Sequence, residues 1–153
     1  MVFRGTFDYT LDAKNRLTVP ARIRSHFTDG AVLARGLKRN VSLWIPSEFE
    51  DYVATMLRDF HPLSDEYATL DSHLNGGAHD VELDSAGRIA FAPRLMQYGG
   101  ITKDVVIVGG TNHLQIWDRG TWDARDEGLP AAVAAITARM SGGGPSLSGL
   151  GQS

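Results

Sequence analysis

Cysteine is absent from the chain. That single absence removes disulfides, thiolate zinc sites, iron–sulfur clusters and cysteine nucleophiles together. Long apolar runs are missing too, since no stretch reaches the roughly 18 apolar residues that a membrane-spanning helix needs. The start, Met1-Val2-Phe3-Arg4-Gly5-Thr6-Phe7-Asp8, carries an acid that interrupts the apolar segment of a secretion signal, so a cytoplasmic chain is expected. None of His26, His61, His73, His79 and His113 forms His-Glu-x-x-His or another metal-ligand pair at helical spacing. Gly-x-Ser-x-Gly and the P-loop are both absent. Gly109-Gly110 lies between strands, without the following helix that a dinucleotide site requires. Glu82 and Asp84 share a strand face, yet no further acid accompanies them as a catalytic pair would need. No enzyme activity, metal, cofactor or small-molecule substrate is expected.

What is present has the balance of a globular domain: 153 residues, 42% hydrophobic and 22% charged, enough for one core or two small halves. The net charge of −3 does not suggest a polyanion ligand, but its distribution does. Residues 1–40 hold eight bases (Arg4, Lys14, Arg16, Arg22, Arg24, Arg35, Lys38, Arg39) and three acids, whereas the rest holds seven bases and fifteen acids. Such asymmetry hints at a polyanion-facing surface, although clustering on a solvated face explains charge alone as well. Residues 141–153 hold five of the seventeen glycines and cannot bury enough apolar surface to offset their ordering entropy, so a disordered tail is expected there.

The chain repeats itself. Leu11-Asp12-Ala13-Lys14-Asn15-Arg16-Leu17 aligns with Leu83-Asp84-Ser85-Ala86-Gly87-Arg88-Ile89 at an offset of 72. Val32–Gly36 meets Val106–Gly110 at 74, and Leu43-Trp44 meets Ile116-Trp117 at 73. Self-similarity in register marks a duplicated supersecondary unit. The first copy covers 1–60 with a helix over 47–58, and a connecting helix follows within 61–75. The second copy covers 76–125, and a C-terminal helix 126–140 precedes the tail. Alternating patterns predict strands at Thr6–Leu11 and Arg16–Val19; two more strands are expected at Ala31–Ala34 and Val41–Ile45 around a Gly36–Asn40 turn, and those of the second copy at Asp80–Leu83, Arg88–Phe91, Asp104–Val108 and Leu114–Trp117. Short helices are expected at Ala21–Phe27 and Pro93–Gln97. Ser47-Glu48-Phe49-Glu50 matches a capping box, and Asp65–Leu74 reads as a helix ended by Asn75-Gly76-Gly77. Trp44 and Trp117, at matched positions, read as core of the two copies.

The repeated Asp-x-x-x-Arg sits where two strands join. Asn15 and Gly87 occupy the same place, one residue before the arginine, and both types tolerate a left-handed backbone. Asp12 and Asp84 precede the turn, where a carboxylate accepts from backbone N–H groups two residues on and can pair with the arginine. An arginine fixed in this way presents a fork of donors to phosphates or guanine edges. A brace that merely closes a hairpin is the plainer reading of one copy alone; two copies in basic surroundings favour a ligand-facing role.

These residues, together with Arg4-Gly5, Leu17-Thr18-Val19-Pro20, Val105–Gly109 and Ile116-Trp117-Asp118, resemble the MraZ family over about residues 1–125. The resemblance implies an α+β chain: a pseudo-twofold AbrB-like barrel of the double-psi or swapped-hairpin type, built from two tandem repeats with flanking helices. It implies a transcriptional regulator, usually a repressor. Such a regulator binds direct repeats of double-stranded DNA in the promoter of its own cell-division and cell-wall gene cluster, as a ring-shaped homo-oligomer at the nucleoid. It places Arg16 and Arg88 on DNA, with Lys14, Asn15 and Arg4 beside them and Asp12, Asp84 and Gly87 bracing the turns. Three departures stand out. Asn15 replaces the usual glycine, Ala86 stands where the first copy has Lys14, and Ala92 precedes Pro93 where a proline pair is usual. The second turn is therefore expected to hold DNA more weakly. The alternative is an AbrB-like module that grips protein partners without DNA, for which Leu129, Val133 and Ile136 on one helical face would serve. Packing of that face on its own sheet or on a neighbouring subunit is the plainer reading.

Overall fold

The computed structural model describes residues 1–142. It divides into two compact units, Met1–Arg119 and the segment from Gly120 onward. The first unit is mixed α+β. Its elements in order are β1 (Thr6–Thr10), β2 (Arg16–Thr18), a 3₁₀ helix (Ala21–Phe27), β3 (Ala31–Arg35), β4 (Val41–Trp44), α1 (Pro46–Leu57) and α2 (Asp65–Leu74). There follow β5 (His79–Val81), β6 (Arg88–Ala90), α3 (Pro93–Gly99), β7 (Asp104–Gly109) and β8 (Leu114–Asp118). Strand, turn, strand, short helix, strand, strand, helix therefore occurs twice, in the order that the repeated sequence predicts.

The strands flanking each repeated turn do not pair with one another. β1 pairs with β7, β5 pairs with β3, and β2 pairs with β6, all antiparallel. The large sheet runs β1-β7-β8-β4-β3-β5, and β2-β6 forms a separate two-stranded ribbon. The six-stranded sheet is not closed by hydrogen bonds; β1 and β5 are its edges. Each copy thus completes its pairing with strands of the other. Leu17 and Ile89, opposite each other in the ribbon, are both fully buried.

Burial follows from the apolar runs. β3 and β4 are buried on both faces, which is why they read as continuous rather than alternating. Ala31, Leu33, Val41 and Leu43 face the main core with Val105, Ile107, Leu114 and Ile116. Val32, Ala34 and Trp44 face a second cluster with Phe49, Val53 and Leu57 of α1 and Leu74 of α2. Trp44 therefore packs under the helices and not in the main core. It is stacked between Tyr52 and His113, at 4.6 and 4.3 Å.

The start of the first helix corrects the sequence reading. The Ser47 capping box does not form. α1 begins one residue earlier, at Pro46, with Ile45 at the cap and no side-chain hydrogen bond there. Proline suits the first helical position because its absent N–H would have had no partner anyway. α2 does have a side-chain cap, Ser64, whose hydroxyl accepts from Tyr67 N–H at 3.1 Å.

The second unit is carried by α4 (Arg119–Gly142). The sequence reading ends the second copy at 125 and starts a separate C-terminal helix over 126–140, with Pro130 in its first turn. Instead one helix runs through Pro130. Val133, Ile136 and Met140 of this helix are exposed, at 52, 46 and 51%. Ser141 and Gly142 belong to this helix, and the rest of the expected tail, 143–153, lies outside the described residues. Among the described residues no helix is long and apolar enough to cross a membrane.

Candidate nucleic-acid interface

The ribbon β2-β6 sets the two repeated turns side by side. Each turn is closed by the same local bonds. In the first, Asn15 N–H donates to the Asp12 carbonyl at 2.9 Å and Asp12 N–H donates to the Arg16 carbonyl at 3.1 Å. In the second, Gly87 and Asp84 donate to the corresponding carbonyls of Asp84 and Arg88, both at 2.9 Å. The residue before each arginine has positive φ, +56° at Asn15 and +76° at Gly87. Two bonds then tie turn to turn: Phe91 N–H to the Asn15 carbonyl at 3.0 Å, and Val19 N–H to the Gly87 carbonyl at 2.9 Å. The crossed pair forms with Ala92 before Pro93.

The aspartates organise the arginines. Asp12 Oδ1 accepts from the N–H groups of Lys14 (2.9 Å) and Arg16 (2.8 Å), and its Oδ2 accepts from Arg16 Nε at 2.7 Å. Asp84 does the same with Ala86, Arg88 and Arg88 Nε, each at 2.9 Å. The Arg16 N–H, with the Arg16 guanidinium and the Lys14 N–H, holds the Asp12 carboxyl below its usual value despite some desolvation. The Arg88 N–H, with the Ala86 N–H and the Arg88 guanidinium, does so for Asp84. Both carboxylates stay ionised at neutral pH and clamp the inner edge of each fork.

The outer edges remain. Arg16 Nη1 stands 4.0 Å from Asp84 Oδ2, and Arg88 Nη1 stands 3.8 Å from Asp12 Oδ2. These crossed approaches are too long for hydrogen bonds. The arginine side chains are about a third exposed, at 30 and 32%. Two pre-oriented guanidinium edges therefore lie next to each other, related by the repeat.

Grooves flank both turns, and they reveal cations that sequence reasoning did not assign. Leu11, Asp12, Ala13, Asn15, Thr102 and Lys103 line the first. The second is lined by Arg24, Phe27, Glu82, Asp84 and Gly87, among others. Arg24 comes from the 3₁₀ helix of the first copy, and its Nε donates to the Val19 carbonyl at 2.8 Å. A Cβ on Gly87 would stand 2.2 Å from Arg24 Nε. The glycine thus provides the turn conformation and the space for a guanidinium. The second turn, which appeared short of a cation because Ala86 replaces Lys14, receives Arg24 instead. Gly87 was the available signal, but one sequence does not show which side chain lies over it.

Arg4 is not brought to the turns. It precedes β1, whose other end leads to Asp12, and its neighbours Phe3 and Gly5 bond to Gly110 and Gly109. Arg35 and Arg39 gather around Tyr98, with Lys38 next to Arg39 in the same turn. Of the histidines, His26 packs edge-on to Phe3 and His113 stacks on Trp44. Among the described residues no three His, Asp or Glu side chains are grouped to hold a metal ion.

The family description "MraZ protein, putative antitoxin-like" matches residues 2–69 and 74–142. The protein called transcriptional regulator MraZ in Thiobacillus denitrificans is 33% identical over 158 residues, covering 89% of this chain and 99% of its own. The protein of that name in Herpetosiphon aurantiacus is 31% identical over 142 residues, covering 90% and 98%. That of Cytophaga hutchinsonii is 34% identical over 119 residues, covering 75% and 78%.

Proposed function

Since the chain belongs to the MraZ family, we propose that it regulates transcription by binding double-stranded DNA through its paired turns. One observation carries this reading: two arginines, each clamped at Nε by the aspartate of its own turn, stand side by side and about a third exposed, each with Nη1 within 4.0 Å of the other turn's carboxylate. A fork held at Nε retains the donors that read guanine O6 and N7 bidentately, while backbone N–H groups and nearby cations meet phosphates. Arg16 and Arg88 are the base-reading pair, and Asp12, Asp84 and Gly87 set them. Lys14, Arg24 and Lys103 supply phosphate contacts, and Asn15 lies at the turn surface. Arg4, away from the turns, is not part of this contact.

The finer reading follows the family. The target is a set of direct repeats in the promoter of the chain's own cell-division and cell-wall gene cluster, and the effect is repression at the nucleoid. The two copies, 1–60 and 76–125, form one swapped-hairpin barrel, with β2-β6 packed across the open six-stranded sheet. A ring-shaped homo-oligomer presents several turn pairs at once. One pair is too small for nanomolar affinity, which needs about 12 kcal/mol, and tethered copies raise avidity by about 10² to 10⁴.

The test is fluorescence anisotropy on promoter fragments carrying one box, two correctly spaced boxes, or two boxes moved apart by half a helical turn. Binding should be tightest to the spaced pair. Its log–log salt slope should be steep, about −0.9 per phosphate neutralised. A slope near zero, or equal affinity for all three fragments, overturns the reading.

A further inference from the structure

Three of the N-terminal cations that take no part in the paired turns lie close together in sequence. Arg35 ends β3, and Lys38 and Arg39 lie in the turn that joins β3 to β4. This turn is firmly built. Gly36 N–H donates to the Asn40 carbonyl at 2.7 Å. The buried Asn40 side chain fills the place where a Cβ on Gly36 would stand. Lys38 N–H is directed at Asn40 Oδ1, 3.4 Å away. Arg39 has φ +58°, a conformation that glycine adopts far more readily than a long side chain.

The guanidinium of Arg39 lies 4.9 Å from the centre of the Tyr98 ring, and that of Arg35 approaches the same ring at 5.7 Å. Tyr98 is itself fixed, because its hydroxyl donates to the Gly36 carbonyl at 2.5 Å. His73 packs edge-on to the ring at 6.0 Å, and its buried Nε2 has no hydrogen-bond partner among the described residues. Within that same set, no carboxylate comes within 4.0 Å of Arg35, Lys38 or Arg39. An aromatic face attracts each guanidinium weakly but does not offset the repulsion between two of them. A group with several anionic oxygens does, and the planar forks of two arginines match such oxygens in pairs.

We propose that the β3–β4 turn is a phosphate-binding site separate from the paired turns, in which Arg35, Lys38 and Arg39 donate to the phosphate and Tyr98 backs them. The site does not rest on the DNA reading. The phosphate belongs either to the backbone of a nucleic-acid strand or to a free phosphorylated small molecule.

The test uses the full chain, isotope-labelled for NMR, titrated with pyrophosphate at an ionic strength held constant with sodium chloride. Saturable shifts are expected at Gly36, Arg39, Tyr98 and His73, with the His73 imidazole titrating higher as pyrophosphate binds. Arg39→Gly removes one cation while suiting the positive φ, so the fold is retained. This variant should bind pyrophosphate about tenfold more weakly, the loss of one charge-assisted hydrogen bond. Lys38→Gln/Arg39→Gly should lose the shifts altogether. A second arm measures DNA salt slopes on long promoter duplexes. A slope shallower by about 1.8 in the double variant identifies a DNA phosphate, whereas an unchanged slope with retained wild-type shifts identifies a free phosphorylated ligand. Absence of saturable shifts in the wild type, together with an unchanged slope in the double variant, overturns the proposal. Failure of the wild type to bind the promoter sinks the regulator reading and leaves the pyrophosphate result standing.

Discussion

Replacing Gly87 by alanine isolates the double duty of one residue. At φ +76° an L side chain costs about 1–2 kcal/mol relative to glycine. The new methyl would also stand 2.2 Å from Arg24 Nε and 2.6 Å from its Cδ, so the arginine must swing away and release the Val19 carbonyl. A hydrogen bond from a charged donor is worth about 1.5–3 kcal/mol. Because Arg24 is only half-buried, water replaces part of that loss and the low end applies. The expected destabilisation is about 2–4 kcal/mol, a large share of the roughly 5–15 kcal/mol typical of a native domain. Urea unfolding at neutral pH, with unchanged m, should show it as a lower midpoint. Arg24→Ala and the double variant complete a cycle, in which the two changes should couple by about 1–2 kcal/mol. Asn15→Gly at the matching position should be neutral or stabilising, since it relieves φ +56°. The reasoning fails if Gly87→Ala stays within about 0.5 kcal/mol of wild type, or if its effect is the same with and without Arg24.

Arg16→Ala and Arg88→Ala should each weaken promoter binding by about 1–3 kcal/mol per engaged subunit, by comparable amounts because Arg24 supplies the second turn; a far larger effect at Arg16 would restore the ranking that sequence alone suggests. Asp12 and Asp84 have carboxyls lowered from 3.8, so their stabilisation is present above that pH and lost as pH falls through the lower folded value. Acid titration followed by circular dichroism should therefore show a shallower acid limb in Asp12→Asn/Asp84→Asn. His113, whose imidazole is lowered from 6.5 by burial against Trp44, is more easily protonated in the unfolded chain, so stability should decline as pH drops below 6.5; His113→Phe should flatten that decline in thermal melts. Ser64→Ala should cost about 1 kcal/mol through loss of the α2 cap, whereas Ser47→Ala should change stability by less than about 0.5 kcal/mol.

The turns were legible because they are local. The Asp12 carboxylate takes its hydrogen bonds from residues two and four ahead, so composition and spacing over five residues determine them. The duplicated order of strands was legible because its landmarks repeat in order at offsets of 72 to 74. Pairing was not, because β1 finds β7 through burial shared across the whole chain. Arg24 was missed as a site residue because its place over Gly87 depends on that long-range closure. Trp44 was assigned to the main core because a tryptophan reads as buried whichever side of a sheet it occupies. The separate helix start before Pro130 was misread because a single proline disfavours a helix without always ending it.

The exchange of strands between copies also sets a timetable. Thr10 of β1 meets Asp104 of β7, 94 residues further along. At about 5–20 residues per second, a ribosome needs on the order of 5–20 seconds to deliver that partner. Through that interval β1 has no strand to pair with, while β2 waits for β6, which is made before β7 and brings the Ile89 that Leu17 finally faces. The first half is thus born with an open apolar surface and waits for the second, so the two arginines reach their shared face together, as the last strands arrive.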